Sequence, residues 1–339
     1  MSSKKTIILC APADFGLFES IKNGLEKLDF KVIGFPIQDA NYSYKNFSAR
    51  IHNTFRKLVF NDRSFKNKLK YADREQELMP KLEGLENIDF ALFIRPDMYP
   101  IPFIKAVEKI AAKTTAYQWD SLDRFPAVYN YLDLFKKFYV FDQRDIHHRQ
   151  HLVLTTNFSL DSLNAKDSEE RNDAYLLASF DQTRLQQAIA LKELMHQAGV
   201  TARFMLNTKK TKELKQLETA GLIGITKSIS YAENLTIVQS SKVLVDLHNT
   251  SQLGLSFRIM ESIFYKKKLI TTNKEVEKYD FYNPNNIFIW DEKNDEDLNA
   301  FLQTPYMEVD SLILQKYSLA NWINYVFAEQ PFIEINMPY

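Results

Sequence analysis

The sequence predicts an α/β protein of two successive parallel-sheet domains, and three observations carry that prediction. Short apolar, β-branched runs alternate with longer amphipathic segments along the chain, which is the pattern of repeated βα units. At 339 residues the chain exceeds what one core usually organises, and a hydrophobic content of 45% supplies material for two. The stretch Val243–Trp290 reads as strand, polar loop, helix, strand, polar loop. Its two loops therefore fall together at the carboxyl edge of a parallel sheet, where such sheets bind ligands.

In the first domain, expected over residues 1–160, Lys5–Ala11 is a buried strand and Pro12–Gly16 the turn after it. Phe18–Leu28 carries Ile21, Leu25 and Leu28 at helical spacing, and Lys31–Phe35 is the next strand, a Rossmann-like opening. Asp14 lands at the edge of the first strand, either as a general base or as the N-cap of the helix. Between Lys45 and Arg74 stand nine Lys/Arg and two Asp/Glu, with Ile51, Phe55, Leu58 and Val59 as an apolar stripe. Such a basic amphipathic segment is either a solvated face or a patch for an anionic membrane or a phosphorylated, lipid-linked acceptor.

Three further strands end in carboxylates: Ile88–Ile94 before Arg95-Pro96-Asp97, Thr114–Trp119 before Asp120, and Lys137–Phe141 before Asp142. Asp97 and Asp120 join Asp14 as candidate catalytic bases. Arg95 and Arg124 are candidates for holding an acceptor, although Arg95 and Asp97 could simply pair. His147, His148 and His151 cluster beyond, but without an HExxH motif they are expected as exposed side chains rather than zinc ligands.

The second domain is expected over 161–310, after a polar linker at Asn164–Asp173, with a segment at 311–339 packing back on the first domain. Ala174–Phe180 is its first strand, Leu185–Ala198 a helix and Ala202–Leu206 the next strand. Val243–Leu247 follows, then the loop His248–Gln252, then Gly254 and Ser256 ahead of a helix marked by Phe257, Met260, Glu261, Phe264 and Tyr265. Lys266–Lys268 is expected to close that helix, Leu269–Thr272 to form a strand, and Asn273 to open the next loop. A helix N-terminus at Gly254 and Ser256 favours an anion such as phosphate. Glu261 lies on the apolar face, so it needs partners: a ribose or sugar diol, or the surroundings of a merely tolerated carboxylate.

The run G-L-S-F-R-I-M-E-S-I-F-Y-K-K-K-L-I-T-T-N, continued by Y-D-F-Y-N-P-N-N-I, resembles the donor-binding half of bacterial glycosyltransferases of the two-Rossmann GT-B architecture. It is similar more narrowly to those that build capsule and lipopolysaccharide glycans. The runs Y-Q-W-D-S and F-Y-V-F-D-Q-R-D extend the resemblance into the first domain. The resemblance implies that Glu261 binds the ribose of a nucleotide sugar, with Ser256 and Arg258 at the diphosphate. It likewise implies that Ser179 and Arg184 approach the phosphates and that Tyr231 and Asn234, in Y-x-E-N, touch the nucleobase. His248, Gly254 and Asn273 are expected to complete the donor site. Asp120 and Asp123 are three apart, which departs from a DxD metal motif, and the resemblance implies a metal-independent enzyme with no cofactor beyond its nucleotide-sugar substrate.

Composition excludes other classes. Lys+Arg and Asp+Glu are both 43, so no overall field points to nucleic acid. With 8 glycines there is no P-loop or GxGxxG. The single cysteine, Cys10, fits a reducing cytoplasm, and no apolar run approaches a membrane span, so the expectation is a cytoplasmic protein that touches the membrane at most peripherally through 45–74. The expected partners are a nucleotide-sugar donor and a glycan or lipid-linked acceptor. A sugar-nucleotide epimerase on the same fold and a non-catalytic nucleotide-sugar-binding protein are the alternatives.

Overall fold

The computed structural model describes residues 4–38, 65–160 and 172–338. Two six-stranded sheets organise them. The first contains β1 (Thr6–Pro12), β2 (Lys31–Ile37), β3 (Ile88–Ile94), β4 (Ala111–Gln118), β5 (Phe138–Val140) and β6 (Leu152–Leu154), in the order β2-β1-β3-β4-β5-β6. The second contains β7 (Asn172–Ser179), β8 (Ala202–Asn207), β9 (Ile223–Ile225), β10 (Ser241–Asp246), β11 (Lys268–Thr271) and β12 (Ile287–Ile289), in the order β12-β11-β10-β7-β8-β9. Every pairing between neighbours is parallel.

Parallel strands need cover on both faces, and the sequence supplies it. Ile7 to Ala11 of β1 are all 0% exposed, which is why the run TIILCA shows no polar alternation. Helix α1 (Leu17–Lys27) buries Phe18, Ile21 and Leu25 on one face. Helix α2 (Phe65–Leu78) contains the last ten residues of the basic segment, whereas 45–64 lie outside the described residues. Most of the expected linker, 164–171, also lies outside them, and its last two residues open β7. Strand β4 starts earlier than its apolar run because helix α3 (Ile101–Ile110) passes into it without a loop.

The three lysines are placed differently from the expectation. The helix that follows β10, α4 (Phe257–Phe264), ends before them. Lys266 takes a left-handed φ of 53°, turning the chain, and Lys268 begins β11 with 8% exposure. Its ammonium donates to the Phe301 carbonyl and lies 4.5 Å from that ring's centroid. A buried ammonium is tolerated only when its donors are met, and here a carbonyl and an aromatic face meet them.

The strand orders fix where a ligand can sit. The chain reverses its direction of strand addition between β1 and β3 in the first sheet and between β7 and β10 in the second. At such switch points the loops diverge to opposite faces and leave a crevice beyond the carboxyl ends. The C-terminal helix α5 (Leu319–Phe327) lies on the first sheet: Trp322 packs 5.1 Å from Tyr117 and 4.5 Å from Phe158, and Phe327 packs 4.6 Å from Phe90. Just before it, Tyr317 Oη donates to Asp280 of the second domain at 2.7 Å.

Candidate functional site

The loop between β10 and α4 is held by the first domain. Leu253 donates its N–H to Asp142 Oδ2 at 2.8 Å, and Arg144 Nη2 donates to the Ser251 carbonyl at 2.7 Å. Asn157 Nδ2 donates to the Leu255 carbonyl at 2.9 Å while its Oδ1 accepts from Tyr117 at 2.8 Å. Asp142 is 0% exposed, and hydrogen bonds from Arg144 and from the Arg144 and Leu253 amides outweigh burial and hold its pKa below the usual range. Gly254 sits at the tightest point: a Cβ there would stand 2.3 Å from the Phe141 ring. Asn273 donates to the Gly254 carbonyl at 3.3 Å and caps the Glu275 amide at 3.0 Å. Gly254 and Asn273 therefore shape the loop from below, and neither lines the cavities that follow.

One cavity, of about 360 Å³, opens at the switch point of the second sheet. Ser179, Arg184, Tyr231, Asn234, Ser256, Arg258 and Glu261 all line it, so seven of the expected donor residues come together. Glu261 is 4% exposed, and Asn234 Nδ2 donates to its Oε1 at 3.1 Å. Arg258 and Tyr175 both donate to Asn234 Oδ1 at 3.1 Å. Arg258 Nη1 also stands 2.8 Å from Glu261 Oε2, an ion pair whose angle is not that of a hydrogen bond, and neither atom makes a hydrogen bond among the described residues. Burial pushes the Glu261 pKa up, and Arg258, Tyr231 and Asn234 oppose it. The guanidinium expected at a diphosphate is thus committed to the carboxylate expected at a ribose.

Ser256 is the N-cap of α4 but makes no capping bond, because its Oγ donates to Asp246 Oδ1 at 2.9 Å. Arg184 rises from a helix capped by Asp181 and donates to the Leu247 carbonyl at 2.9 Å. It also lines a neighbouring polar cavity of about 490 Å³ together with Ser179, His248 and Lys274. Burial lowers the His248 pKa, and its Nε2 makes no hydrogen bond among the described residues.

A third cavity, also about 490 Å³, lies at the switch point of the first sheet and is lined by Asp14, Phe15, Arg95, Trp119, Asp120, Arg124 and Phe125. It shares Phe15, Leu17, Arg124, Gln252, Ser256 and Phe257 with the 360 Å³ cavity, so the two meet across the cleft. Asp120 pairs with Arg124 at 2.7 Å, and burial raises its pKa against the pull of Arg124 and Arg95. Asp97 does not reach the cavity. It is 5% exposed and bound by Arg95 through two bonds of 2.8 and 2.7 Å, the pairing that was the alternative to a catalytic role. The expected histidine cluster lies apart, with His148 against Tyr129 and His151 Nε2 at 2.9 Å from the Leu132 carbonyl.

Phe15 and Arg95, at φ 58° and 60°, are non-glycine residues in the left-handed region, and both line this cavity. Strain of this kind costs on the order of 1 kcal/mol or more per residue and gathers at functional sites. Phe15 is also 54% exposed, which is unusual for so large an apolar ring. Sequence reading missed Phe15, Phe125, Asn157, Tyr175 and Gln252 as site residues. An aromatic at the end of a strand reads as core until the loop that turns it outward is seen.

No family model and no curated protein sequence matches the chain. Its fold is similar to the apo structure of OtsA, at 11% identity and a TM-score of 0.58, covering 97% of this chain and 100% of that one. It is similar to an α,α-trehalose-phosphate synthase (UDP-forming) from Burkholderia xenovorans in complex with glucose-6-phosphate, at 12% identity and TM-score 0.57, covering 94% and 98%. It is also similar to a putative UDP-N-acetylglucosamine 2-epimerase from Listeria monocytogenes, at 10% identity and TM-score 0.52, covering 99% and 100%. Together with the two parallel sheets, these matches establish the fold as GT-B: two Rossmann-like domains facing across a cleft.

Proposed function

We propose that the chain is a glycosyltransferase that moves a sugar from a nucleotide-sugar donor to a hydroxyl of a glycan or lipid-linked acceptor of the surface-polysaccharide kind. The observation that carries this reading is the meeting of two cavities, one at each switch point, along a shared wall of Phe15, Arg124, Gln252, Ser256 and Phe257. Two substrates placed there would present their reacting atoms to each other, which is the positioning that converts an encounter into a reaction. The names of the structural neighbours support a nucleotide sugar as the donor, since one is a UDP-forming synthase and another a UDP-N-acetylglucosamine epimerase.

In this reading the donor occupies the 360 Å³ cavity. Glu261 Oε2, which makes no hydrogen bond among the described residues, accepts a ribose hydroxyl. Arg258 is paired with Glu261, so its part is to position that acceptor rather than to bind phosphate. Arg184 and the uncapped N-terminus at Ser256 face the diphosphate and stabilise the charge of the leaving group. Asp120 takes the proton of the acceptor hydroxyl, Asp14 being the other carboxylate on the cavity wall.

A thermal-shift panel of UDP, GDP and CMP and their sugars against wild type and Glu261→Gln tests the donor site. One nucleotide is expected to stabilise the wild type by about 2.7 kcal/mol at a hundred times its Kd, and to lose most of that in the variant. No shift with any nucleotide would remove the donor assignment. Conversion of the donor to an epimer without acceptor would favour the epimerase instead, which the two carboxylates on one wall also allow.

A further inference from the structure

The lining of the first-domain cavity says what kind of acceptor it takes. Five aromatic rings wall it: Phe15, Trp119, Phe125, Phe141 and Phe257. Trp119 meets Phe257 edge-on at 6.3 Å, and the Arg95 guanidinium lies over Phe125 at 3.3 Å, so the walls are packed against one another. The cations on the lining are Arg95, buried and bound through two bonds to Asp97, and Arg124, which donates through Nη1 to Asp120. Asp14 adds a further carboxylate to the lining. An incoming phosphate or uronate would have to share Arg124 with Asp120 and sit beside the carboxylates of Asp14 and Asp120, a like-charge arrangement that disfavours it. Neutral acceptors of hydrogen bonds remain: Gln252 Oε1 is buried, lines the cavity and makes no hydrogen bond among the described residues. It calls for a donor such as a hydroxyl.

We infer that this cavity binds an uncharged pyranose unit, its C–H face stacked on the aromatic walls and its hydroxyls on Gln252 and Asp120. This rests on the glycosyltransferase reading and narrows it: the unit that enters the site carries no phosphate and no carboxylate, whatever the rest of the acceptor bears. Flat aromatic faces match the apolar side of a sugar ring, and carboxylates and amide oxygens match its hydroxyls. Charge selection comes from the Asp14 and Asp120 carboxylates on the lining and from the pairing of Arg95 with Asp97.

The test is a glycan array printed with neutral, phosphorylated and uronate-bearing saccharides, probed with the full chain in the absence of nucleotide. Neutral saccharides are expected to be retained, and their phosphorylated or oxidised counterparts to bind at least about tenfold more weakly. Binding should change less than about twofold when salt is raised, since no net charge is matched. Retained saccharides should shift tryptophan fluorescence through Trp119, because Trp290 and Trp322 are 1% and 0% exposed. Phe15→Ala, at a 54% exposed position where no core is lost, should lower affinity about tenfold at an unchanged melting temperature. Preference for the charged saccharides, retention of none, or indifference to Phe15→Ala each overturns the inference. Nucleotide binding in the donor panel, measured separately, leaves the donor reading standing if only this one fails.

Discussion

Gly254→Ala tests the frame that holds both cavities together. The added methyl would lie 2.3, 2.4 and 2.5 Å from three atoms of the Phe141 ring. Carbon atoms pack at about 3.5–4.0 Å, so loop and ring must separate by roughly 1 Å. Both sides resist. Phe141 is 3% exposed, and the loop is fixed by the Asp142–Leu253, Arg144–Ser251 and Asn157–Leu255 bonds. Overpacking of this kind costs about 1–3 kcal/mol. The movement would also carry Ser256, so nucleotide binding should weaken along with stability. Urea unfolding midpoints of the wild type, Gly254→Ala, Phe141→Ala and the double variant measure the effect. Phe141→Ala removes all three clashing atoms, so in that background the alanine at 254 should cost almost nothing, a coupling of about 1–3 kcal/mol. Additive costs would refute the reasoning, since the penalty would then arise elsewhere.

Three further outcomes follow from the same geometry. Burial pushes the Asp145 pKa up to about 6, against the Leu122 N–H that donates to it at 2.9 Å. Because the folded pKa is the higher one, ionisation destabilises the fold as pH rises from about 4 to about 6, so Asp145→Asn should gain at most about 3 kcal/mol over wild type above pH 6 and nothing near pH 4, by unfolding across pH. In the proposed reaction Asp120 is the base and must be ionised, so kcat/KM should fall with acidity through a pKa above the usual carboxylate range; Arg124→Ala, removing the cation that lowers it, should move that limb higher still, and Asp120→Asn should cost about 10²–10⁴-fold. Trp322→Ala should destabilise by about 3–5 kcal/mol in denaturant titrations because the ring is 0% exposed between Tyr117 and Phe158, whereas Trp322→Phe should cost much less, its Nε1 making no hydrogen bond among the described residues.

The sequence by itself determined the layer architecture and much of the lining of the 360 Å³ cavity. Continuous apolar runs such as Ile7–Ala11 can only be strands covered on both faces, and periodic runs such as Phe257–Phe264 can only be amphipathic helices between them. Placing the loop that carries Ser256 at the carboxyl edge of a parallel sheet followed from strand polarity, whereas Ser179 came from the family resemblance. Local signals do not encode which charges cancel. Arg95 and Asp97, two residues apart, closed on each other, and Arg258 turned to Glu261 one helical turn away, because a buried charge takes the nearest counter-charge. Nor could sequence order show that Gly254 is small for the sake of a phenylalanine more than a hundred residues earlier, or that Lys268 would be drawn into a strand. The carboxylate facing the cleft, the aromatic walls of the cavity at the first sheet's switch point and the junction between the two domains were decided by long-range packing. Contacts between residues far apart in the chain leave no period in the sequence, so only the assembled fold selects among them.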